Sequence, residues 1–126
     1  MNRYAAKLLF QFRVTVDGED GKRRICEERI ILLEAKHAKH AVTKAKQRGR
    51  EGKHTYKNSD GNRVRFEFVG VLELIQLGSE CEPDEVWYEI RDRLTPSERK
   101  EKLIPPESEL RAVRNENDSI RSEGVR

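Results

Sequence analysis

Cysteine is scarce in this 126-residue chain, and the two present rule out several chemistries. Cys26 and Cys81 stand far apart in neither a Cys-x-x-Cys pair nor a Cys/His ligand spacing, so no zinc knuckle or dithiol redox centre is encoded. Long apolar runs are missing as well. Nothing approaches the roughly 20 apolar residues of a membrane-spanning helix. The N-terminal MNRYAAKLLF enters strand-like alternation at once, with no signal-peptide hydrophobic region or cleavage site. These absences predict a cytoplasmic chain with free thiols. Also lacking are a nucleophile elbow, a phosphate loop, a dinucleotide fingerprint and an HExxH pair.

The few residues that could carry chemistry are poorly placed for it. Of the three histidines, His37 and His40 are one turn apart, as paired metal ligands can be. No third ligand follows at a diagnostic spacing, and the surrounding lysines repel a cation. Cys81 lies among acids, which raise a thiol pKa and blunt its nucleophilicity. Glu67 and Glu73, six residues apart on a strand, are about 20 Å apart, too far for an acid/base pair. The expectation is no enzyme, no metal and no cofactor.

What is present is charge and one well-patterned body. Charged residues make up 39% of the chain and apolar residues 35%, and nearly all the large apolar side chains fall between Tyr4 and Leu94. This pattern predicts a compact domain over residues 1–94 and a helical appendage with a polar tail over residues 95–126. Tyr4, Ala6, Leu8, Phe10, Phe12, Val14 and Val16 alternate with polar residues as a long one-sided strand. Asp17 to Lys22 is a Gly- and Asp-rich turn, and a second strand runs from about Arg23 to Glu34, entering the core through Ile30 to Leu33. Ala35, Ala38, Ala41, Val42 and Ala45 recur at helical spacing, giving a helix with a narrow small-residue face that Gly49 or Gly52 can end.

A short strand around Tyr56 and a turn at Asn58 to Asn62 lead into Arg63 to Leu77, the longest apolar-rich stretch. It begins one-sided and becomes apolar on both sides, as a covered central strand does, and Gly70 suits a bulge or a close backbone approach. Val86, Tyr88 and Ile90 alternate as a final strand. Thr95-Pro96-Ser97-Glu98 has the form of a capping box opening a short helix to about Leu103, Glu107 to Asn115 forms a weak further helix, and Glu116 to Arg126 is a mobile tail. The fold class is therefore α+β: a mostly antiparallel sheet of four to five strands, one helix across a face, and a short C-terminal helix.

Two surface features bear on function. From Lys22 to Lys57, twelve Lys/Arg face four Glu, a surplus of eight; from Glu80 to Asp92, six acids face Arg91 alone. The basic segment offers Lys39, Lys46, Arg48 and Arg50 as contacts to a polyanion or a partner, because Lys and Arg release counterions on binding phosphates. The competing reading is a solvated helix face offset by the acidic segment. Trp87, out of phase with Val86, Tyr88 and Ile90, either packs under the C-terminal helix or serves as an interface anchor. Arg65 to Val71 matches a single-stranded-RNA sheet motif only at Phe66, Phe68 and Val69. Glu67 stands between the rings where a small residue belongs, so both phenylalanines are expected in the core.

Taken together, YAAKLLF (Tyr4 to Phe10), CEERIILLEA (Cys26 to Ala35), the alanine-spaced helix, RFEFVGVLEL (Arg65 to Leu74) and EVWYEIRDRL (Glu85 to Leu94) make the chain resemble the family called domain of unknown function 4288. The resemblance implies a compact bacterial α+β domain and supplies no active-site residues. The functional expectation is a small non-enzymatic cytoplasmic interaction domain that binds protein partners or itself; the alternative is nucleic-acid binding through the basic helix. No membrane contact is expected.

Overall fold

The computed structural model describes residues 1–22, 24–92 and 103–124. Strand β1 spans Asn2–Thr15, β2 Ile25–Ala35, helix α1 Ala38–Glu51, β3 His54–Lys57 and β4 Arg63–Gln76. A 3-10 turn at Glu107–Glu109 and helix α2, Arg111–Gly124, follow. The chain divides into two compact units, Met1–Glu89 and Ile90–Arg126. The strands of the first unit form one antiparallel sheet in the order β2-β1-β4-β3, with α1 against one face. The fold is α+β, as the alternation predicts.

β1 sets the two faces. Its even residues Tyr4, Ala6, Leu8 and Phe10 are buried and meet Ala41 and Ala45 of α1, Ala35 of β2 and Phe66 of β4 in the core. Phe12 packs at the margin of this cluster, and Val16, past the strand end, is exposed. Val16 and Glu19 exchange backbone hydrogen bonds of 2.9 and 3.0 Å around Asp17-Gly18, both at positive φ. That two-residue turn has the handedness that matches the twist of hairpin strands.

Three small residues let α1 lie close to the sheet. Ala41, Ala45 and Gly49 recur every fourth residue, and all are buried. Gly49 sits inside the helix, and Gly52 is the residue that ends it. The close backbone approach lies at Gly49 too: a Cβ there would stand 2.4 Å from the ring of Phe68, whereas one on Gly70 would meet nothing within 4 Å. Gly70 is flanked instead by two irregularities. The β1–β4 register slips between Lys7 and Leu8 and again between Leu9 and Phe10, leaving Leu72 and Val69 without opposite partners.

Several expectations are corrected. β2 is an edge strand, and α1 covers only its inner face, so Ile31 and Leu33 pack on the core while Ile30 and Leu32 are 46% and 53% exposed. Leu72 and Val69 in β4 are likewise exposed, so β4 is not covered on both faces along its length. No strand forms at Val86 to Ile90. That segment is held to the outer side of β1, where Lys7 pairs with the Glu89 carboxylate and its Nζ lies 5.4 Å from the Trp87 ring centroid. Side-chain contacts across the sheet thus replace a ladder beside it, and Val86, Tyr88 and Ile90 stay exposed.

In the second unit, α2 runs on to Gly124 where the sequence suggests a mobile tail from Glu116. From Arg111 to Glu123 there is no proline and no glycine to break the helix. The capping box at Thr95 to Glu98 lies outside the described residues. No helix among the described residues is long and apolar enough to cross a membrane.

Candidate functional site at the start of the helix

A concave feature of the first unit lies where β2 hands over to α1. His37, in extended conformation, is the N-cap of α1, and its Nδ1 accepts the backbone N–H of His40 at 3.1 Å. His40 Nδ1 in turn accepts the backbone N–H of Lys36 at 3.1 Å. A backbone N–H can only donate, so each Nδ1 is an acceptor, and the ring proton of each histidine sits on Nε2. The rings lie 6.0 Å apart. Burial, then electrostatic repulsion from its neighbours, Lys44 foremost, holds the His40 pKa below the ordinary imidazole value.

Around these rings lies an open depression of about 600 Å³ lined by Lys36, His37, Lys39, His40, Val42, Thr43 and Lys46. Three of the lining residues are lysines, and none is acidic. Lys44 is turned away, its Nζ donating to the Glu34 carbonyl at 2.7 Å. Thr43 Oγ1 donates to the Lys39 carbonyl at 3.2 Å.

At about 100° per residue, Lys39, Lys46 and Arg50 fall within about 40° of one another on α1, on a stripe away from Ala41, Ala45 and Gly49. Arg48 falls on the opposite side of the stripe's axis, roughly 160–180° round. All four are exposed. The helix therefore brings three of the four sequence-singled basic residues together, and two of them line the depression. Lys36 and Thr43 complete it and were not singled out by sequence. The sign that could have found them is their spacing from Lys39, three residues before and four after.

The remaining polar cluster is at the other end of β1. Asp20 accepts from Thr15 Oγ1 at 2.6 Å, Arg65 Nη2 at 3.0 Å and Arg13 Nη1 at 3.4 Å. Glu67 accepts from Arg13 Nε at 2.8 Å and Gln11 Nε2 at 3.1 Å. The Thr15 hydrogen bond leads in holding the Asp20 pKa below its ordinary value, and the two arginines reinforce it against desolvation. For Glu67 burial pulls upward, but Arg13 and Gln11 outweigh it and the pKa is lowered. Apart from Arg65 Nε, which is buried without a hydrogen-bond partner among the described residues, these groups pair with one another and tie the β1–β2 turn to β4, which is the chemistry of a structural clamp.

Depressed carboxylate pKa values contribute stability that is present above the unfolded-state values, about 4, and is lost as pH falls through the folded ones. The melting temperature is therefore expected to fall between about pH 5 and pH 3. In Asp20→Asn/Glu67→Gln, melted across the same series, that slope should be shallower; an unchanged slope would assign acid lability to other groups.

Cys81 is buried, and its thiol pKa is raised by burial first and then by Glu85 and Glu80. Cys26 is exposed, and both are free thiols. Trp87 is partly buried beneath Lys7, its Nε1 donating to Glu89 at 3.3 Å.

The model of a family described as domain of unknown function (DUF4288) matches residues 3–86, a span that takes in the sheet, α1 and the depression. No curated protein and no solved structure matches the chain.

Proposed function

We propose that this chain, which belongs to the DUF4288 family, is a non-enzymatic cytoplasmic domain that binds a protein strand along the edge of β2. The observation that carries this reading is the character of that edge. β2 is outermost in the sheet, eleven residues long, and regular in its pairing with β1 throughout. Natural edges of this length are commonly blunted by charged side chains, proline or a bulge; Ile25–Ala35 has no proline and no register shift, and its charges, Glu27, Glu28, Arg29 and Glu34, flank uncharged residues 30–33. Ile30 and Leu32 project side by side from its outer face. Unpaired main-chain groups supply affinity to an added strand, and alternate side chains select it. Nucleic-acid binding by α1 has the narrower support of the Lys39–Lys46–Arg50 stripe, from which Arg48 stands apart.

The test compares wild type with Ile30→Lys/Leu32→Lys. Cross-linked capture from a bacterial lysate treated with nuclease should be lost in the variant, and light scattering on the pure chain tells a second copy from a foreign partner. A strict monomer whose captured proteins are the same with and without the lysines would overturn the reading.

A further inference from the structure

We propose that the depression at the start of α1 is an oligophosphate-binding site, with Lys36, Lys39 and Lys46 as its charges and the Nε2–H groups of His37 and His40 as its fixed donors. The proposal stands independently of the β2 edge. Its first support is the uniform character of the wall. Of the seven lining residues, three are lysines, two are histidines and none is acidic. Several cations of the sheet meet carboxylates instead: Arg13 and Arg65 meet Asp20, Arg29 meets Glu27, and Lys7 meets Glu89. In the depression Lys36, Lys39 and Lys46 border one open space with no acid among them, which a polyanion would complement.

The second support is the direction of the hydrogen bonds. Both imidazoles spend Nδ1 on backbone N–H groups, so Nε2 can only donate. The Thr43 hydroxyl hydrogen is spent on the Lys39 carbonyl. The histidines therefore add hydrogen-bond donors to the lysine charges, which is the complement of phosphoryl oxygens. Two first-turn amides are already committed, that of His40 to the His37 ring and that of Ala41 to the His37 carbonyl at 3.0 Å, so the side chains carry the recognition.

Size and polarity narrow the ligand. Lys39 and Lys46 are two helical turns apart, roughly 10 Å along the axis, a span suited to linked phosphoryl groups better than to a single one. Val42 is the one apolar side chain in the wall. No Phe, Tyr or Trp stands in the wall, and the two imidazoles act as donors, so the recognised part is the phosphate chain itself.

Calorimetric titration of the full chain with tripolyphosphate at low ionic strength tests the site. Saturable binding is expected, weakened about tenfold or more in Lys39→Gln/Lys46→Gln and unchanged in the charge-matched control Lys53→Gln/Lys57→Gln. All four positions are exposed, so both variants keep the core intact. The ring ¹⁵N resonances of His37 and His40 should move during the titration. Absence of binding, equal loss in the two variants, or unmoved ring resonances would overturn the proposal. So would tighter binding of a single-stranded RNA of equal charge that also weakens in Arg50→Gln, since that pattern describes a track along α1.

Discussion

Phe10→Ala is expected to destabilise the first unit by about 3–5 kcal/mol, read as a shift of the urea midpoint by circular dichroism. Phe10 is 1% exposed and occupies the centre of the core. Its ring stacks on Phe66 with centroids 4.8 Å apart and planes 9° from parallel, and meets Phe68 at 5.6 Å and 60°. The Arg29 guanidinium carbon lies 5.0 Å from the centroids of both Phe10 and Phe66. Truncation therefore removes buried apolar area, leaves a void between β1 and β4, and strips one of the two rings beneath a cation. Small domains hold about 5–15 kcal/mol in all, so the variant should be largely unfolded in mild denaturant. Phe12→Ala, at the margin of the cluster, should cost clearly less. Equal costs at the two positions would contradict the placement of the core.

Gly49→Ala has an expected sign opposite to the usual one. An interior helix glycine replaced by alanine normally gains about 1 kcal/mol. Here the new Cβ would fall 2.4 Å from two atoms of the Phe68 ring and 2.8 Å from its Cγ. The root of the ring is hit as well as its edge, so spinning the ring about χ2 cannot relieve the clash, and either α1 or the whole Phe68 side chain must shift. Overpacking of this kind costs about 1–3 kcal/mol, so a net loss is expected. In a Phe68→Leu background the usual gain should return, and a double-mutant cycle isolates the coupling. Stabilisation by Gly49→Ala in the wild-type background would show that the helix–sheet spacing is slack.

The body of the fold was legible because alternation over a buried face is a strong constraint. A strand such as Tyr4 to Val14 has one phase that buries its apolar residues, and the alanine spacing of α1 has one face narrow enough to approach it. The edge position of β2 was not legible: Ile30-Ile31-Leu32-Leu33 carries no mark of which face is covered, and only strand order decides it. The missing final strand shows a second gap. Val86, Tyr88 and Ile90 have a strand's period, but the Lys7–Glu89 pair and the Trp87 contact are interactions of distant residues that no local pattern encodes. The site was half legible, since charge and spacing pick out Lys39, Lys46 and Arg50, whereas donor direction at His37 and His40 depends on backbone amides whose positions follow from the cap. The closeness of Gly49 to Phe68 was likewise invisible, as a glycine near a helix end reads first as a terminator.

The two register slips in β4 bear on how related chains are to be aligned. Fourteen residues of β4, Arg63–Gln76, oppose twelve of β1, Tyr4–Thr15, so two residues add length without adding rungs. Each slip by itself shifts the odd–even count by one, and together they cancel: Phe66 and Phe68 point inward before them, Val71 between them, and Leu74 after them. Insertions and deletions at Val69 and Leu72 are thus exempt from the rule that one residue more or less turns a strand inside out. Phase in this strand is conserved by rung and not by residue number, and a gap placed there in an alignment leaves the inward set intact.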